Sequence, residues 1–152
     1  MKSFVLLVAL ALGTTAHAQS KPVKDLVESQ SYVFKAQTAL PLGGRVRNLT
    51  SDYDLRVSKA EIKSYLPYYG RAYSAPMDPT KNVLEFSSKD FSYTMTPGKK
   101  DGWTVTIKPN DYRDVQQMTL TISSKGYATL QVTSRDRQAI SFNGVIADRA
   151  QK

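Results

Sequence analysis

From Tyr32 onward the chain alternates apolar and polar positions in short runs. Tyr32, Phe34, Ala36 and Thr38 alternate with Val33, Lys35 and Gln37, and Tyr53, Leu55 and Val57 with Asp54, Arg56 and Ser58. The same period recurs at Leu84 and Phe86, at Phe91, Tyr93 and Met95, at Trp103, Val105 and Ile107, at Met118, Leu120 and Ile122, and at Ala128, Leu130 and Val132. Ile140 and Phe142 close the series. A period of two sends successive side chains to opposite faces of a strand, so each run predicts a half-buried β-strand. Turn residues separate the runs at 41–44, 75–82, 97–102, 124–126 and 134–138. In the 97–102 hairpin, Gly98 and Gly102 are placed to allow positive φ. Residues 45–49 fit a short strand, and residues 62–66 either a strand or one helical turn.

One earlier segment has a different period. Residues 22–31 set Val23, Leu26 and Val27 on one stripe, with Lys24, Asp25 and Glu28 opposite and Pro22 in the first turn. That spacing predicts a short helix, which must dock on something because so few residues do not hold a helix alone. Together the runs predict an α+β, mostly β fold. It is an antiparallel β-meander of six or seven strands, one face solvated, with the short N-terminal helix packed on the other.

The first residues stand outside that fold. Met1-Lys2, an apolar run from Phe4 to Leu12, and Ala16-His17-Ala18 have the three parts of a secretory signal peptide, with cleavage near Ala18. The run is about half of the ~20 residues a membrane helix needs, so no transmembrane anchor is expected. Residues 1–18 are then a leader and residues 19–152 a single globular domain, released to the periplasm or secreted. Its formal net charge of +8 falls to +7 as Lys2 leaves. The basic residues are scattered along the chain, the pattern of a solvated surface, and nucleic acid is an unlikely partner.

Composition removes whole classes of chemistry. The one histidine, His17, lies in the leader, and there is no cysteine. The mature chain therefore cannot build a Ser-His-Asp or Cys-His site, a redox dithiol, or a metal site with nitrogen or sulfur ligands, and no cofactor is implied. Leu42-Gly43-Gly44 lacks the spacing of a phosphate-binding loop. Carboxylate chemistry stays open at Asp52, Asp54, Glu61, Glu85, Asp90, Asp111 and Asp114, although no spacing singles out a pair. Asp52 and Asp54 share one side of a strand, which fits calcium or two hydrated surface acids. Asn48-Leu49-Thr50 matches a glycosylation sequon that matters only in a eukaryotic secretory pathway.

The most distinctive stretch is residues 65–76, with Tyr65, Tyr68, Tyr69 and Tyr73 among Pro67, Gly70, Arg71 and Pro76. Tyr68, Tyr69 and Tyr73 suit a stacking platform, and Arg71 suits a bidentate anion contact. The structural alternative is a corner, with Pro67 holding Leu66 extended, Gly70 allowing the bend, and the rings covering the end of the sheet. Trp103 suits a core ring beside its hairpin.

These residues resemble the exported proteins of Gram-negative bacteria catalogued as domain of unknown function 4251. The likeness runs over residues 32–146. Its most specific element is Leu66-Pro67-Tyr68-Tyr69-Gly70-Arg71-Ala72-Tyr73, supported by Phe34-Lys35-Ala36, Tyr53-Asp54-Leu55, Gly126-Tyr127-Ala128 and Ile140-Ser141-Phe142-Asn143-Gly144. The resemblance implies an envelope-associated or secreted protein and transfers no catalytic residue. Many relatives look like lipoproteins, a feature from which this cysteine-free chain departs. The resulting expectation is a non-enzymatic periplasmic binding or interaction module whose partner is another envelope protein or a glycan. Its alternatives are a carboxylate-dependent hydrolase of envelope glycans and a protein that pairs with another chain through an exposed sheet edge.

Overall fold

A computed structural model describes residues 21–71 and 83–150. Among them are one helix, α1 (Val23–Glu28), and nine strands: β1 (Tyr32–Pro41), β2 (Arg47–Val57), β3 (Ile62–Pro67), β4 (Val83–Ser88), β5 (Phe91–Pro97), β6 (Trp103–Pro109), β7 (Val115–Ile122), β8 (Tyr127–Ser134) and β9 (Ile140–Ala147). The expected six or seven strands are therefore nine. Residues 62–66 resolve as strand because β3 finds partners on both sides, Asp54↔Tyr65 in β2 and Tyr65↔Glu85 in β4. The 45–49 run merges with the one after it into the continuous β2.

Every pairing is antiparallel, in the order β4-β3-β2-β1-β9-β8-β7-β6-β5. Strands β1–β4 form one meander and β5–β9 another, joined where β1 meets β9. The two edge strands, β4 and β5, are nonetheless consecutive, with only Lys89 and Asp90 between them. A flat sheet would hold its outer strands roughly 38 Å apart at about 4.8 Å per step. Two linking residues reach roughly 11 Å. The sheet must curl, and it does so into a nearly closed barrel with its core inside.

Curling changes the job of the helix. Six residues cannot cover nine strands, so the sheet covers itself, and α1 adds only Leu26 and Val27 to the core. The helix is shorter than the 22–31 expectation because Gln30 turns to φ 51, ending it. Ser31 N–H then reaches Leu26 O at 3.1 Å and Gln30 N–H reaches Val27 O at 3.2 Å, the paired bonds of a Schellman stop. Pro22 sits at the N-cap position, one residue before the first turn.

The interior is filled by the residues the alternation picked out, among them Tyr32, Phe34, Leu55, Leu84, Ile107, Met118, Leu120, Leu130 and Phe142. One exception follows from a bulge in β1 between Ala36 and Thr38, which moves Ala39 into the core place that the simple period gives Thr38. Tyr32 and Tyr93 tie the two halves and the helix together. The Tyr93 hydroxyl donates to Val27 O at 3.1 Å, so across their 3.1 Å contact Tyr32 Oη is the donor. Burial pushes both phenols above their usual range; the contact adds to the rise of Tyr32, whose proton it uses, and opposes that of Tyr93, which accepts it.

The β4–β5 corner is latched by Asp111 from the β6–β7 loop. Its carboxylate accepts the Ser88 hydroxyl, Lys89 N–H at 2.9 Å and Asp90 N–H at 3.2 Å. Phe86 stacks on Tyr112 beside it, centroids 4.3 Å apart. The Ser88 hydroxyl first, then Lys89 N–H, hold Asp111 below the usual carboxylate range. A lowered folded-state pKa gives stability that is complete above the unfolded value of about 3.9 and is lost as pH falls through the folded value. Asp111→Asn is therefore expected to lower the melting temperature by a few degrees at neutral pH. The deficit should shrink as pH drops below about 4. A melting-temperature profile from pH 7 to 2.5 checks this, and a deficit independent of pH would discard the charged latch.

The 97–102 hairpin forms as expected, but its glycines do a different job. Positive φ falls on Lys100 (53) and Asp101 (59), closed by Gly102 N–H to Lys99 O at 3.1 Å. Gly102 is needed for space: a Cβ there would stand 2.4 Å from Ile122 O, and one on Gly98 3.2 Å from Trp103 N. Trp103 is half-buried and packs against the core.

Candidate functional site

Successive connections swap ends within each meander, and the antiparallel β1–β9 pairing fixes how the ends of the two meanders match. Here the loops β1–β2, β3–β4, β6–β7 and β8–β9 share one end of the barrel, while α1 and the β5–β6 and β7–β8 turns lie at the other. The 68–71 segment sits at the first end and divides its labour. Tyr68 is 5% exposed, turned inward, with its hydroxyl shared between Arg71 O at 2.9 Å and Gln138 O at 3.0 Å. Gln138 N–H returns to Arg71 O at 3.0 Å, and Arg71 N–H meets Gln138 Oε1 at 3.3 Å. A Cβ on Gly70 would lie 2.3 Å from the Tyr68 hydroxyl, which explains the glycine as a close approach rather than a hinge.

Tyr69 and Arg71 stand at the surface instead. The Arg47 guanidinium lies 4.8 Å above the Tyr69 ring, and Arg137 lies 5.1 Å from the Tyr68 ring. Tyr53 and Tyr65 stack on each other across β2 and β3, centroids 5.4 Å apart. Tyr73 lies outside the described residues. Arg135 N–H bonds Asp114 O at 3.2 Å, joining the β8–β9 loop to the β6–β7 loop. These contacts tie Arg47, Arg71, Arg135 and Arg137 to one rim, and Arg45 and Arg113 lie in the β1–β2 and β6–β7 loops at the same end, so six of the chain's eight arginines share it. Asp114 and Asp136 lie among them, the former receiving the Tyr112 hydroxyl at 3.4 Å. Burial, then the Asp114 carboxylate, raise the Tyr112 phenol. Among the described residues the ion pairs are Lys24–Glu28, Arg56–Asp54 and Lys63–Glu61, all away from this rim. Charges scattered along the sequence are thus concentrated by topology.

The carboxylates are spread around the fold. Asp54 accepts Arg56 Nε–H at 2.9 Å, Asp90 accepts Asn110 Nδ2–H at 2.9 Å, and Glu61 accepts the Ser87 hydroxyl. Hydrogen bonding, from Ser87 to Glu61 and from Ser88 to Asp111, lowers both acids, opposite to the raised value a general acid needs. No group of three or more acidic residues placed to hold a metal ion occurs among the described residues.

With this geometry in place, the comparisons are informative about kinship. The family model described as domain of unknown function DUF4251 matches residues 15–146. The chain belongs to the DUF4251 family. A crystal structure of a DUF4251 family protein from Bacteroides eggerthii superposes with a TM-score of 0.63 at 13% identity, covering 85% of this chain and 87% of that one. No curated protein matches the chain. At that identity the likeness carries the fold alone. Within the matched residues, the Tyr68–Gly70 latch binds the β3 end to the β8–β9 loop. No helix among the described residues is long and apolar enough to cross a membrane.

Proposed function

We propose that this DUF4251 protein is an exported, non-enzymatic binding module of the bacterial envelope that takes an anionic group on its arginine rim. The observation that carries the reading is Arg47 stacked on Tyr69, two residues from exposed Arg71, with the backbone of the 68–71 segment tied to Gln138 by the Tyr68 and Arg71 hydrogen bonds. Guanidinium forks match phosphate or carboxylate oxygens in pairs, and a stacked guanidinium is held in one orientation before a ligand arrives. Rigid support under an exposed arginine is what separates this rim from a merely solvated surface. The leader-like N-terminus supports export.

A thermal-shift titration with inorganic phosphate and short-chain polyphosphate tests the proposal, with potassium chloride at matched ionic strength as control. Polyphosphate is expected to raise the melting temperature by mass action. The rise should vanish in Arg47→Ala/Arg71→Ala, whose own melting temperature should stay near the native value because both side chains are exposed. A flat titration, or a shift kept by the variant, would remove the rim as the site.

A further inference from the structure

A second surface lies on the outer face of the barrel, toward the α1 end and away from the arginine rim. Thr104, Thr121, Thr129 and Asn143 are cross-strand neighbours on β6, β7, β8 and β9, and Gln37 continues the row at the β1 bulge. Steps of about 4.8 Å between strands make this a ladder of hydroxyl and amide groups. It floors an open groove of about 1060 Å³. One wall is Tyr127, a residue 66% exposed, and the other is the β5–β6 hairpin carrying Lys99 and Lys100.

The lining contains these two lysines and no carboxylate. Thr129 Oγ1 donates to Asn143 Oδ1 at 2.9 Å, which orients the Asn143 amide and leaves its N–H groups to donate. An exposed tyrosine face, a row of neutral donors and acceptors, and two ammonium groups at one side are complementary to an extended polyhydroxylated chain bearing carboxylates. A compact anion would use the lysines and ignore the ladder. A neutral sugar would use the ladder and ignore the lysines.

We infer that this groove binds an acidic oligosaccharide, with Tyr127 against a sugar face and Lys99 and Lys100 on its carboxylates. The inference is independent of the arginine rim, and its test uses different residues. The mature chain is titrated with oligogalacturonate, with a neutral cello-oligosaccharide of equal length, and with poly-glutamate of equal charge. Affinity is read by calorimetry and location by backbone amide shifts. Oligogalacturonate is expected to move the amides of Thr104, Thr121, Thr129 and Asn143. Lys99→Ala/Lys100→Ala and, separately, Tyr127→Ala should each weaken it by about tenfold, and Arg47→Ala/Arg71→Ala should leave it unchanged. All three groove residues are surface-exposed, so the variants should fold, which their melting temperatures check. Equal binding of the neutral sugar, equal binding of poly-glutamate, or shifts confined to the arginine rim would each overturn the inference.

Discussion

Gly144→Ala is expected to be the most damaging single-methyl change in this protein. Gly144 sits in β9 at the centre of the sheet, paired with Ala36 on one side and Ala128 on the other. A Cβ there would stand 2.0 Å from Lys35 O, 2.9 Å from Lys35 C and 3.0 Å from the Phe34 ring. Its φ lies outside the left-handed region, so the penalty is purely steric. Two of the obstacles are backbone on a neighbouring strand, and they cannot swing away as a side chain tip can. Overpacked core positions lose about 1–3 kcal/mol, sometimes more. With backbone as the obstacle, about 3 kcal/mol or above is the expectation, equivalent to roughly 10 °C in melting temperature. Gly43→Ala is the matched control. It has φ +73 with nothing within 4 Å of the added Cβ, so it meets conformational strain alone, about 1 kcal/mol. Urea denaturation of both variants decides the matter. Equal losses would mean that the β1–β9 approach is looser than the structure shows.

Gly70→Ala is expected to cost about 2 kcal/mol. The new methyl would occupy the place of the Tyr68 hydroxyl, which is held between Arg71 O and Gln138 O. Expelling it removes hydrogen bonds worth about 1 kcal/mol and takes the hydroxyl donor from the partly buried Gln138 carbonyl. Tyr68→Phe should cost less, about 1 kcal/mol, because Arg71 O keeps the Gln138 N–H. Combining the two should cost less than their sum, since both delete the same hydroxyl contacts. Strict additivity in that cycle would show that Gly70 and Tyr68 act independently and would dissolve the latch. A second readout separates the latch from the binding surface. Tyr68→Phe should weaken polyphosphate binding only as far as it loosens Arg71, whereas Arg47→Ala/Arg71→Ala should abolish it without loss of stability.

The site illustrates how far sequence reasoning reached. Residues 65–76 stood out from their composition, and a corner and a stacking platform were both on offer there. The described part divides these roles by residue: Tyr68 and Gly70 serve the corner, while Tyr69 and Arg71 face solvent. The arginine rim had a partial sequence signal, since its arginines fall in or beside connections between strands. Which connections share an end is set by the antiparallel β1–β9 pairing, because simple alternation slips at β4–β5. It also requires residues 62–66 to be strand rather than turn. The groove had no comparable signal, because Gln37, Thr104, Thr121, Thr129 and Asn143 look like ordinary outward polar positions until the register sets them side by side.

The sequence by itself determined the antiparallel strands, their inward faces, most of their boundaries and the short helix. It did so because alternation and turn chemistry act between residues a few positions apart, where the chain's own geometry imposes the outcome. Tertiary structure decided the closure of the sheet into a barrel, the β1 bulge that exchanges Thr38 for Ala39, and the glycines required for space rather than for φ. It also decided which arginines meet. Each of those depends on contacts between strands far apart in sequence, where the constraint is the position of another segment's backbone, and no local pattern encodes that position.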